Sequence, residues 1–183
     1  GASGEASPKT ADLNGDGRRE IIVADAGGLV HALRADGTEL PGFPVSVPNI
    51  AALAATPAGH TTAPGWSQPS AANRPRPGYG AAITATPAIG DVTGDGKPEI
   101  IVATYDGHVV AIGGDGKILP GFPVELERVS AMVARDRRHV IDDGFFASPV
   151  LADLDHDGRL DIIAAGMDSQ VYVWRGDGTI LPG

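Results

Sequence analysis

The chain contains no cysteine, which excludes disulfide scaffolds and thiolate metal sites but does not choose a compartment. It has no apolar run near the roughly 20 residues of a membrane span. Basic residues are outnumbered, 14 Lys and Arg against 23 Asp and Glu, and the net charge of −9 argues against nucleic acid as a partner. No G-x-S-x-G, H-E-x-x-H or phosphate loop occurs, and the histidines (His31, His60, His108, His139, His156) repeat at no matched site beside a nucleophile. Paired carboxylates can serve glycoside hydrolysis, but the obvious ones here belong to the loops described next, so the chain is not expected to be an enzyme. The opening "GASGEASPKT" lacks the basic start and apolar core of a signal peptide and reads as the start of an internal fragment.

What remains is a chain of 183 residues, 42% apolar and 20% charged, long enough for a folded domain with a sizeable core. Three segments align without gaps: residues 7–45, 86–124 and 148–183. From the first acid of each (Asp12, Asp91, Asp153) to a later Asp-Gly (Asp36, Asp115, Asp177) the separation is 24 each time.

Each segment reads as four short strands. A Ser/Thr-Pro stretch leads into an acidic loop, then "EIIVA", "EIIVA" or "DIIAA" is too short and too β-branched for a helix. A third strand follows ("LVHAL", "HVVAI", "VYVW"), the Asp-Gly dipeptide closes a hairpin, and "TELPGFPV" or "KILPGFPV" carries prolines that suit an edge strand. A four-stranded antiparallel unit with a proline-marked outer strand is a propeller blade. The expected fold is therefore all-β, with three blades at residues 1–45, 86–124 and 148–183 and insertions at 46–85 and 125–147.

The acidic loops place oxygen donors at alternate positions: Asp12, Asn14, Asp16 and Glu20; Asp91, Thr93, Asp95 and Glu99; Asp153, Asp155, Asp157 and Asp161. Glycine at position 6 permits the sharp turn, and position 7 (Arg18, Lys97, Arg159) can offer only its backbone carbonyl. Ten of the 23 acids sit in these loops, so three divalent cations would cancel most of the net charge. Calcium takes six to eight such oxygens. An EF-hand would need a bidentate Glu at position 12, where Val23, Val102 and Ala164 stand within strands. Carboxylate count ranks the third loop tightest and the second, with Thr93, weakest.

The loops "ADLNGDG", "GDVTGDG" and "ADLDHDG" with their following strands resemble the FG-GAP/VCBS repeats of integrin-α-type β-propellers, nearer the bacterial VCBS-like branch. The resemblance implies one Ca2+ per blade between its first and second strands. It also implies a noncatalytic binding or adhesion module outside the cytoplasm, with a protein or glycan ligand. The alternative is the propeller segment of a secreted polysaccharide lyase or peptidase.

Strand alternation puts both insertions on the side opposite the cation loops. The first contains Trp66, Arg74, Arg76 and Tyr79, and the second the basic run "RDRRH". A coil packed across the propeller competes there with a ligand-binding loop. "RGD" at Arg175–Asp177 is the hairpin turn by position, not an adhesion ligand. Since propellers close with about four to eight blades, the remaining blades are expected from a longer chain or from a second copy making a six-bladed ring.

Overall fold

The computed structural model describes residues 6–48, 82–126 and 144–181. Among these the chain is all-β: eleven strands in three antiparallel sheets, with no helix. The first sheet is β1 (Lys9–Ala11), β2 (Glu20–Ala24), β3 (Leu29–Leu33) and β4 (Val45–Ser46), hydrogen-bonded in chain order. The second repeats it with β5 (Ala88–Gly90), β6 (Glu99–Ala103), β7 (His108–Ile112) and β8 (Val124–Glu125). The third has β9 (Val150–Ala152), β10 (Asp161–Ala165) and β11 (Val171–Trp174), and beyond β11 an isolated bridge joins Trp174 to Ile180.

The outer segment differs from the single strand expected of it. Glu39 bridges Leu33, the chain then turns with the Phe43 amide donating to the Leu40 carbonyl at 3.1 Å, and only Val45–Ser46 pairs as β4. Pro41 has no amide to donate and Gly42 adopts a φ of 96°, so a continuous ladder cannot form there. The two-residue strand that results does lie at the sheet edge, where proline is tolerated.

The sheets pack face to face. In the second sheet β6 and β7 are buried on both faces, although the sequence "EIIVA" is identical in β2, where Ile21 is exposed. One core lies between the first and second sheets and gathers Ile22, Ala24, Val30 and Ala32 with Ile100, Val102, Val110 and Ile112. The other joins Ile101, Ala103, Val109 and Ala111 of the second sheet to Ile162, Ala164, Tyr172 and Trp174 of the third. Phe145 meets Tyr172 and Trp174 edge-on, with ring centroids 6.3 Å from each.

The two seams are copies of one another. The Ser7 amide donates to Thr86 Oγ1 at 3.1 Å, and the Thr86 amide donates to Ser148 Oγ at 3.0 Å. The Ile83 amide reaches the Asp25 carbonyl at 3.3 Å, and the Phe145 amide reaches the Thr104 carbonyl at 3.0 Å. Those last bonds, with Val47 on Gly28 and Leu126 on Gly107, place the start and return of each insertion beside the β2–β3 and β6–β7 turns. The insertions themselves, with Trp66, Arg74, Arg76, Tyr79 and the "RDRRH" run, lie almost wholly outside the described residues.

The tightest part of each seam is backbone against backbone. A Cβ on Gly114 would collide with the carbonyl oxygen of Leu13, and one on Gly176 with that of Val92. In the first sheet the equivalent hairpin position is Ala35, which is exposed. Gly114→Ala is therefore expected to cost about 1–3 kcal/mol, because rigid backbone must move aside. Ala35→Gly should cost no more than about 1 kcal/mol, through chain entropy alone. Urea unfolding of the two variants checks the contrast.

Candidate metal centre

The three acidic loops follow the first strand of each sheet, and glycines with positive φ carry their turns: Gly15 and Gly17, Gly94 and Gly96, and Gly158. In the third loop His156 takes the left-handed position (φ 60°) that Gly15 and Gly94 hold in the others. A shared set of side-chain to backbone bonds shapes all three.

The first aspartate gathers the turn. Asp12 accepts the amides of Gly15 (2.7 Å), Asp16 (3.1 Å) and Gly17 (2.8 Å). Asp91 accepts those of Gly94 (2.6 Å), Asp95 (3.2 Å) and Gly96 (2.8 Å), and Asp153 those of Asp157 and Gly158, both at 3.1 Å. The acid at position 5 then accepts the amide at position 7: Arg18 on Asp16 and Lys97 on Asp95 at 2.8 Å, Arg159 on Asp157 at 2.9 Å. At position 3, Asn14 Oδ1 accepts the Asp16 amide at 2.8 Å, whereas Thr93 Oγ1 is 3.3 Å from the Asp95 amide.

Position 9 closes the loop from β2, β6 or β10. Glu20 accepts the Leu13 amide at 3.0 Å, Glu99 the Val92 amide at 3.0 Å, and Asp161 the Leu154 amide at 2.9 Å, with all three carboxylates buried. Position 12 falls in these same strands, at Val23, Val102 and Ala164, where no side-chain carboxylate is available.

Carboxylate oxygens of Asp91, Asp95 and Glu99 lie within 4.8 Å of one another, as do those of Asp153, Asp155 and Asp161. Asp12, Asp16 and Glu20 are not drawn together to that limit. Burial pushes the Glu99 carboxyl above its ordinary value, and the nearby charges of Asp95 and Asp91 push the same way against the Val92 and Thr93 amides. Asp91 is itself pushed up by burial, but the amides of Gly96, Gly94 and Asp95 outweigh this and hold it below the usual carboxylate range.

Arg175 was legible only as part of a hairpin turn. The turn is there, with the Gly178 amide on the Arg175 carbonyl at 2.9 Å. In addition the guanidinium donates to Asp155 Oδ2 from Nη2 at 2.8 Å and from Nε at 3.1 Å, which lowers the Asp155 carboxyl. This pair ties the acidic loop to the Asp-Gly hairpin at one edge of the sheet. The signal available in the sequence was an arginine where Gly113 stands in the second repeat. Arg34, aligned with it in the first, turns instead to Thr38 Oγ1 and the Glu39 carbonyl.

No family model and no curated protein matches the chain. Solved structures do. The computationally designed Ika8 protein aligns at a TM-score of 0.50 and 14% identity over 95% of this chain and 34% of its own. BBS1N, crystallised in complex with ARL6DN and soaked with lead, aligns at 0.50 and 12% identity over 100% of this chain and 57% of its own. The chain thus spans between about a third and somewhat over half of those proteins, and identity at this level speaks to the fold alone.

The buried Glu99 gives a test that needs no metal. Its raised pKa means that ionised Glu99 opposes folding, a penalty absent at low pH and felt as pH rises above the ordinary carboxylate value. In chelator at pH 7, Glu99→Gln should be neutral to stabilising, since it keeps an oxygen for the Val92 amide and removes the buried charge. Glu99→Ala should cost about 1–3 kcal/mol by orphaning that amide. Thermal unfolding of both variants is the measurement.

Proposed function

We propose that this chain is a noncatalytic, calcium-stabilised β-propeller module that recognises a protein or glycan outside the cytoplasm. The observation that carries it is the threefold acidic loop. Oxygen donors recur at positions 1, 3, 5 and 9, at the same edge of successive sheets, and in two loops three carboxylates converge. Like charges held that close without a counter-charge repel, and a hard divalent cation is the partner that oxygen-only donors suit. The ligands we assign are Asp12, Asn14, Asp16 and Glu20, then Asp91, Thr93, Asp95 and Glu99, then Asp153, Asp155, Asp157 and Asp161. Arg18, Lys97 and Arg159 would contribute backbone carbonyls.

The role of the metal in this reading is structural. A cation would neutralise the loop that presents Leu13 and Val92 to the next sheet, and so stiffen the seam. Ligand recognition is assigned to the opposite edge, where the insertions leave and return, with Trp66 and Tyr79 as aromatic contacts. That assignment rests on chain order, since those residues lie outside the described part.

Geometry changes the affinity order drawn from carboxylate count. Convergence favours the second and third loops over the first, and Arg175 offsets part of the charge of Asp155 in the third. Calorimetric titration of Asp16→Ala, Asp95→Ala and Asp157→Ala should therefore show the first loop weakest. Arg175→Ala should tighten the third loop modestly, since water and salt screen an exposed ion pair. Calcium at a hundred times its Kd should raise stability by about 2.7 kcal/mol per occupied site, and chelation should remove it. A melting temperature indifferent to calcium and chelator overturns the reading.

A further inference from the structure

The two seams show what the third sheet lacks. Leu13 and Val92 are 2% and 0% exposed beneath the following sheet, while the equivalent Leu154 is 48% exposed. Val30 and Val109 are fully buried, while Val171 is 67% exposed. Ile163, Ala165 and Val173 complete this face, so at these five positions the third sheet keeps apolar side chains where the first and second bury theirs.

The chain's own open face, on the outer side of the first sheet, does not fit there. Ala35 stands where Gly114 and Gly176 admit a carbonyl oxygen, so its Cβ would strike the Leu154 carbonyl in the same seam. His31 and Glu39 replace Val110 and Ile118, and His31 Nδ1 lies 2.6 Å from Glu39 Oε1, a polar contact that stacking would bury.

We infer that the Leu154–Ile163–Val171 face docks a fourth sheet of this same repeat, one with glycine in its hairpin and an apolar residue at the Val110 position, and not a second copy of this chain. This deepens the propeller reading by naming what continues the stack. Its test runs both with calcium and in chelator, so that failure of the metal reading, seen in melting, is distinguishable from failure of this one, seen in labelling.

The absence of cysteine supplies the probe: Val171→Cys introduces the sole thiol, with Val30→Cys as the buried reference. In the 183-residue chain the thiol at position 171 should label rapidly with a maleimide, at a rate independent of protein concentration. Appending residues 122–181 after Gly183 continues the repeat in register and should slow labelling about tenfold or more by closing the site. An extension built on the first repeat, with Ala35 and His31, should not. Slow labelling in the unextended chain, protection that rises with protein concentration, or equal protection by both extensions would each overturn the proposal. Should the extensions fail to fold, single substitutions decide it. Val171→Asp should leave the melting temperature of the unextended chain nearly unchanged while Val109→Asp unfolds it, and equal loss in both shows the face already covered.

Discussion

The interaction on which the rest of the architecture depends is a carboxylate turned inward on its own loop. Asp12, Asp91 and Asp153 each collect backbone amides from the turn that follows, and that fixes the path of the next two residues. Because the loop is fixed, the carbonyls of Leu13 and Val92 project at one height from the sheet edge. Because they project there, the next sheet must present a hairpin with no side chain, and Gly114 and Gly176 meet that requirement. A local electrostatic device thereby sets the spacing between sheets, and the apolar cores between them follow from it.

The same loops carry a conflict between folding and charge. The amides that shape them stabilise ionised carboxylates, as at Asp91, while burial opposes ionisation at the closing acid, as at Glu99. The two effects act on residues whose oxygens stand within 4.8 Å. Arg175 relieves part of this strain in the third loop from an exposed position, where a guanidinium is cheaply displaced. The first loop relieves it differently, by substituting Asn14 for an acid and holding its carboxylates further apart. Each loop has its own compromise within one hydrogen-bond plan.

Much of this was legible in the sequence because the repeat is ungapped. Strands with period-two or continuous apolar character, Asp-Gly hairpins and the loop positions all fell where the alignment put them. The outer strand was not legible in detail: "LPGFP" contains ladder-breaking residues at three of its five positions, and a strand of two residues carries no pattern. Nor was Arg175 on Asp155, because the two are 20 residues apart and meet only once the hairpin folds back on the loop. Burial was the least legible. "EIIVA" occurs twice with the same letters, yet Ile21 is exposed and Ile100 is not. That difference belongs to neighbours in space, which a single strand's sequence does not encode.

Neighbours do leave a trace in the repeat when its copies are compared position by position. Gly114 and Gly176 against Ala35, and Val110 and Tyr172 against His31, are departures by the first repeat alone, on a face that no other sheet covers among the described residues. The third repeat departs in the opposite sense: its uncovered face keeps Leu154, Ile163 and Val171, at least as bulky as their buried counterparts in the second sheet. If both ends were simply surfaces, both would have become polar, since exposed apolar area invites association. Only one has. The two open faces are therefore unlike, and the difference is written at positions the carboxylate loops hold in register.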